Sequence, residues 1–135
     1  MIFSNRFFCG DSRICTLQRH IPAPLFRHSF HIDTIPASFE VTICGLGVYE
    51  LFVNGKRITK GYLAPYRSNP NHFVYYDHYD ITPYLDAGEN VVGIALGNGI
   101  MSSEMPVWGA DKYPWRSAPC FAFAAEADGK FLFDG

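Results

Sequence analysis

The chain has 135 residues, with 11 Lys and Arg against 13 Asp and Glu for a formal net charge of -2. That length supports one domain with one core, and the charge gives no broad attraction to nucleic acid or to an anionic membrane. No apolar run approaches the ~20 residues of a membrane-spanning helix, and Met1-Ile2-Phe3-Ser4-Asn5-Arg6 lacks the basic start, apolar stretch and small-residue cleavage site of a secretory leader. A cytoplasmic protein is expected.

Residues 1–24 read as an irregular N-terminal arm closed by Pro22 and Pro24, with Ile2-Phe3 a candidate edge strand. Residues 25–135 then read as one β domain. Leu25 to Ile32 alternates between apolar and polar residues and ends at Asp33 and Pro36. Phe39 to Cys44 alternates in the same way and breaks at Gly45 and Gly47. Tyr49, Leu51 and Val53 alternate with Glu50, Phe52 and Asn54, and Asn54-Gly55 tolerates the positive φ of a tight hairpin turn. Lys56 to Ile58 begins the return strand, which makes residues 39–58 an antiparallel meander.

Thr59 to Asn71 is a loop, since Gly61, Pro65, Ser68, Asn69 and Pro70 interrupt any regular pattern. His72 to Ile81 reads as a long strand. Asp80 to Leu85 fits a short helical turn with Thr82 as N-cap and Pro83 in first position, ended by Gly88. Asn90 to Leu96 is a continuous apolar strand of the kind covered on both faces. Gly97-Asn98-Gly99 bends the chain into a long loop reaching Pro119. Ala118 to Ala127, an Asp128-Gly129 turn and Phe131 to Phe133 form a last hairpin. Aromatic residues make up 16% of the chain, a composition suited to pleated surfaces. With no helix of useful length, the pattern is that of an all-β, antiparallel two-sheet sandwich.

Chemistry-bearing groups are sparse. Cys9, Cys15, Cys44 and Cys120 form no CxxC pair, and Cys44 and Cys120 sit in apolar runs, so reduced structural thiols are expected in place of disulfides or zinc. His28 and His31 lie three apart and point to opposite faces of a strand. His72 and His78 share a face at roughly 20 Å and cannot share a metal. Among carboxylates, Asp77 with Asp80 and Glu126 with Asp128 are candidate pairs for glycoside hydrolysis, which needs two carboxyls ~5–10 Å apart. Asp80 and Asp128 already have turn or capping roles, so no catalytic residue and no metal ligand is assigned. The loop from Gly97 to Pro119 is long enough to be functional. In it Trp108 and Trp115 offer aromatic faces to a sugar, and Asn98, Asp111 and Arg116 offer hydrogen bonds to hydroxyls. The alternative is that both indoles pack the loop onto the sandwich or onto a partner domain.

Five pieces in fixed order carry a family resemblance: residues 47–57 (GVYELFVNGKR), Leu63-Ala64-Pro65, residues 76–82 (YDHYDIT), Gly88-Glu89-Asn90-Val91-Val92-Gly93 and Leu96-Gly97-Asn98-Gly99. Over residues 25–135 the chain resembles the N-terminal β-sandwich of bacterial α-L-rhamnosidases, glycoside hydrolase family 78. Two stretches depart from that pattern. Pro65-Tyr66-Arg67-Ser68 stands where the family has Pro-Gly-Trp-Thr, and Ile100-Met101 where it has Trp-Tyr. The resemblance implies a jelly-roll-like, galactose-binding-type fold. It also implies a parent enzyme whose catalytic acids lie in an α-helical toroid several hundred residues downstream, outside this chain. The expected role is that of a non-catalytic ancillary module. It binds a rhamnose-containing carbohydrate, with Ca2+ as the one candidate ion, or it braces the catalytic domain of the same parent chain.

Overall fold

The computed structural model describes residues 3, 6–10, 16, 19–102 and 116–134. Nine strands occupy about half of these. They are β1 (Phe8–Cys9), β2 (Leu25–Ile32), β3 (Phe39–Leu46), β4 (Val48–Val53), β5 (Lys56–Arg57), β6 (Asp77–Asp80), β7 (Gly88–Gly97), β8 (Cys120–Ala127) and β9 (Lys130–Asp134). One sheet runs β1-β8-β3-β6, with β9 also on β8; the other runs β2-β7-β4-β5. Every pairing is antiparallel. The two sheets face each other as an all-β sandwich.

Alternation explains how the core closes. Phe39, Val41 and Ile43 of β3, Phe121, Phe123 and Ala125 of β8, Tyr49, Leu51 and Val53 of β4 and Val92, Ile94 and Leu96 of β7 all belong to one buried cluster. In each strand these residues are two apart, so one face of each sheet contributes them all. Leu51, Ile43 and Leu96 are fully enclosed. At this depth each large aliphatic side chain stabilises the fold by roughly 1.5–3 kcal/mol.

The Asn54-Gly55 turn forms as expected, with φ of 49° and 78° and Val53 opposite Lys56. Positive φ at both central residues is the type I′ geometry that matches strand twist. A Cβ at Gly55 meets nothing within 4 Å, so the cost of a larger residue there is conformational, not steric. Gly55→Val is expected to lower the unfolding free energy by about 1–3 kcal/mol, because a β-branched residue is strained at positive φ. The urea midpoint measures it. Asp128-Gly129 repeats the geometry between β8 and β9, with φ of 49° and 71°. Its Asp128 carboxylate also accepts the backbone N–H of Ser38 at 3.0 Å.

Several expectations are corrected. Ile2 lies outside the described residues and Phe3 is in no strand; the edge strand of the arm is β1, at Phe8–Cys9. Strand β3 continues through Gly45 to Leu46, and the break comes only at Gly47, where a Cβ would lie 2.7 Å from the Gly97 carbonyl oxygen. The long strand expected over His72–Ile81 shrinks to Asp77–Asp80. Its pairing with β3 ends at Ile43–Asp77, and residues 73–76 run unpaired along the sheet edge.

Thr82 is not an N-cap. It is the first residue of a 3₁₀ turn (Thr82–Tyr84), and Asp80 accepts both its N–H at 2.9 Å and its hydroxyl at 2.6 Å. Strand β7 is not covered on both faces. Asn90, Val92, Ile94 and Leu96 are buried, while Val91, Gly93, Ala95 and Gly97 are half-exposed. Small outward residues had made the run look evenly apolar.

Candidate functional site

The residues singled out in the long loop divide between described and undescribed parts of the chain. Trp108, Asp111 and Trp115 lie outside the described residues. Asn98 and Arg116 are both half-buried at the base of the loop. The Asn98 amide donates to the Ile21 carbonyl at 3.5 Å, and its Oδ1 is buried without a hydrogen-bond partner among the described residues. The loop's two ends are joined, since Ser117 N–H donates to the Met101 carbonyl at 3.0 Å. Next to that joint, Ser102 is enclosed, with its hydroxyl directed to the Leu46 carbonyl at 3.3 Å. The sandwich therefore fixes where the loop leaves and returns.

A different segment dominates the described surface. Residues 60–76 carry seven exposed large hydrophobics: Tyr62, Leu63, Tyr66, Phe73, Val74, Tyr75 and Tyr76. Tyr62 and Tyr66 are 80% and 85% exposed, far beyond what an incidental surface tyrosine shows when its ring packs down. The signal was present in the sequence as five aromatics within fifteen residues of Pro- and Gly-broken chain. A loop over 59–71 followed by a strand over 72–81 conceals that signal, because strand alternation turns every second side chain inward.

This segment is anchored at both ends. Tyr49 N–H donates to the Ala64 carbonyl at 2.7 Å, across a bridge that extends β4. At the other end the Cys44 thiol donates to the Tyr75 carbonyl at 3.4 Å. Arg57, paired with Glu50 at 3.1 Å, places its guanidinium 4.4 Å above the Tyr62 ring and orders that side chain. Two adjoining clefts result. One, of about 250 Å3, lies between Gly45, Gly47, Tyr66, Val74, Tyr75 and the loop start at Gly99–Met101. The other, of about 280 Å3, runs from Lys60 to Tyr66 along Asp77, His78 and Tyr79. Leu63, Pro65 and Tyr66 wall both.

Beneath the second cleft the Tyr49 hydroxyl crosses between the sheets, donating to Asp77 Oδ2 at 2.5 Å and lying 3.2 Å from the Tyr79 hydroxyl. Burial, and then the hydrogen bond to Asp77, push the Tyr49 phenol far above its ordinary value, so it stays a donor. Burial likewise raises Tyr79. The Asp77 carboxylate is thus engaged from below by a phenol. Two of the other carboxylate candidates are engaged as well, Asp80 by Thr82, which lowers its pKa, and Asp128 by Ser38, while Glu126 is exposed on β8.

His31 pairs with Glu89 at 2.9 Å and Asp33 at 3.3 Å, and His78 with Glu40 at 3.2 Å. Among the described residues no three His, Cys, Asp or Glu side chains are placed to hold a metal ion. No helix among them is long and apolar enough to cross a membrane. The arrangement can offer flat apolar rings, with one carboxylate and a lysine at their margin.

Comparison with known proteins identifies the family. The family model described as the α-L-rhamnosidase N-terminal domain matches residues 35–130. An α-L-rhamnosidase of Formosa agariphila is 44% identical over 77 residues, which are 57% of this chain and 8% of that protein. The solved α-L-rhamnosidase of Dictyoglumus thermophilum superposes with a TM-score of 0.64 at 30% identity, over 84% of this chain and 12% of its own. That of Streptomyces avermitilis, solved with L-rhamnose, gives 0.69 at 25% identity, over 84% of this chain and 11% of its own. The chain therefore spans only about a tenth of the length of the enzymes it resembles. With a two-sheet sandwich, an Asn-Gly hairpin and a family match over most of its residues, the chain belongs to the α-L-rhamnosidase N-terminal domain family.

Proposed function

We propose that this chain is a non-catalytic ancillary module of an α-L-rhamnosidase, and that it braces the catalytic domain of the same parent protein through the surface of residues 60–76. The observation that carries this reading is the run of exposed Tyr62, Leu63, Tyr66, Phe73, Val74, Tyr75 and Tyr76 on one anchored segment. A soluble surface rarely leaves so many large apolar groups together unless something covers them. The covering partner is argued from length: relatives carrying this domain are about ten times longer, so most of their mass is available to dock on it.

Carbohydrate binding is the second reading. The open faces of Tyr62 and Tyr66 beside Asp77 and Lys60 favour it, since sugars stack apolar faces on rings and give hydroxyls to carboxylates. In that reading Asn98, Trp108, Asp111, Trp115 and Arg116 of the long loop supply further contacts, with Ca2+ as an accessory ion. Titrating the chain with L-rhamnose, with and without Ca2+, while following tyrosine and tryptophan amide shifts separates the two. Bracing predicts no saturable shift up to the millimolar range, where a lone sugar site binding with about -4 kcal/mol would saturate. Saturable shifts in the 60–76 segment or the long loop would make the module a sugar binder.

A further inference from the structure

We propose that Cys9 and Cys120 form a reversible disulfide that fastens the N-terminal strand to the sandwich under oxidising conditions. Register carries the inference. In the β1–β8 pairing Cys9 is the direct Cα partner of Cys120, as Phe8 is of Phe121. Directly opposed residues in an antiparallel pair stand ~4.5–5.5 Å apart at Cα, inside the ~4.4–6.8 Å that a disulfide spans, so the bond needs no movement of the backbone.

The side chains agree with the register. Phe8 stacks on Phe121 with ring centroids 5.0 Å apart on the core side, which turns Cys9 and Cys120 together to the outer face of the sheet. There the two residues are directly opposed across the strand pair. Both are free thiols in this structure, Cys9 exposed and Cys120 buried.

That asymmetry sets the order of events with a small disulfide such as oxidised glutathione as oxidant. The exposed Cys9 loses its proton, and its thiolate attacks one glutathione sulfur, displacing the first glutathione thiolate. Cys120 then loses its proton and attacks Cys9 Sγ, displacing the second. One oxidised glutathione is reduced to two thiols as two cysteine thiols become one disulfide. Burial pushes the Cys120 thiol up, so closure is the slower step at neutral pH.

The bond changes what holds β1. This strand has two residues, pairs among the described residues with β8 alone and covers the part of its outer edge that β9, at Ala124–Ala127, leaves open. Reduced, it rests on two residue pairs and one aromatic stack. Oxidised, it is tied covalently across nearly the whole chain, and cross-links closing long loops restrict the unfolded state most.

The test is to equilibrate the folded chain in graded oxidised-to-reduced glutathione buffers, trap free thiols by alkylation and map peptides by mass spectrometry. The expected product has lost two hydrogens, retains no glutathione and contains one linked pair, Cys9 with Cys120. It unfolds at a higher urea concentration than the reduced chain. Cys15→Ser should leave the bridge intact and Cys9→Ser should abolish it. A Cys9–Cys15 bridge, glutathione retained on Cys9, or fully alkylated thiols throughout the series would overturn the proposal.

Discussion

Asn90→Leu is expected to destabilise the domain by about 3–5 kcal/mol, because it leaves several buried polar groups unpaired at ~1–3 kcal/mol each. Asn90 is completely enclosed. Its Oδ1 accepts from Asp86 N–H at 2.9 Å and from the Asn54 amide at 2.8 Å. Its Nδ2 donates to the carbonyls of Asp86 at 2.7 Å and Gly88 at 3.0 Å. Asn54 in turn donates to the Tyr84 carbonyl at 2.9 Å and accepts from Val91 N–H at 2.8 Å. The β4–β5 turn, the end of the 3₁₀ turn and the start of β7 thus meet on two side-chain amides. Leucine keeps the branched skeleton of asparagine with greater bulk and satisfies none of these groups. Urea denaturation of the variant checks the figure; a loss below about 0.5 kcal/mol, the range of an ordinary surface change, would show that the network carries little.

Tyr49 is expected to separate packing from hydrogen bonding. Tyr49→Ala removes a ring that is 1% exposed at the centre of the core cluster and should cost about 3–5 kcal/mol. Tyr49→Phe keeps the ring and removes only the hydroxyl shared with Asp77 and Tyr79, for about 1–2 kcal/mol. The wild-type chain also carries a pH signature. The Tyr49 pKa is raised in the folded state, so its contribution is complete below the unfolded value near 10 and is lost as pH rises beyond it. Stability should fall above pH ~10 by up to ~1.4 kcal/mol per unit from this residue, and Tyr49→Phe should flatten that decline. Equal alkaline slopes in both proteins would show that the phenol is not protected by the fold.

The sandwich was legible because its signals are local. Alternation in residues 25–32, 39–44 and 49–53 and two Asx-Gly turns set strand, face and hairpin without reference to the rest of the chain. Where tertiary contacts decide, the reading slipped. Residues 72–76 alternate like a strand, but pairing with β3 stops at Ile43–Asp77 although β3 itself continues to Leu46. Thr82 has the residue type of an N-cap, but its hydroxyl oxygen is taken by Phe39 N–H at 2.7 Å from across the fold. Asn54 was legible as a turn residue, whereas its link to Asn90, thirty-six positions away, was not. The cysteine register was hidden for the same reason: nothing near Cys9 in sequence shows that its neighbour in space is Cys120.

The bracing role is tested most directly by side-chain footprinting. The 135-residue chain and the full-length parent enzyme are exposed to the same dose of hydroxyl radical, and oxidation is compared at Tyr62, Tyr66, Phe73, Tyr75 and Tyr76. If this face docks on the catalytic domain, these residues are heavily labelled in the isolated chain and several-fold less in the enzyme, while Leu132, 46% exposed on β9 at the sheet edge opposite β6, is labelled equally in both. Equal labelling of the five aromatics in both proteins, with protection appearing only when L-rhamnose is added, would contradict bracing and assign the surface to sugar.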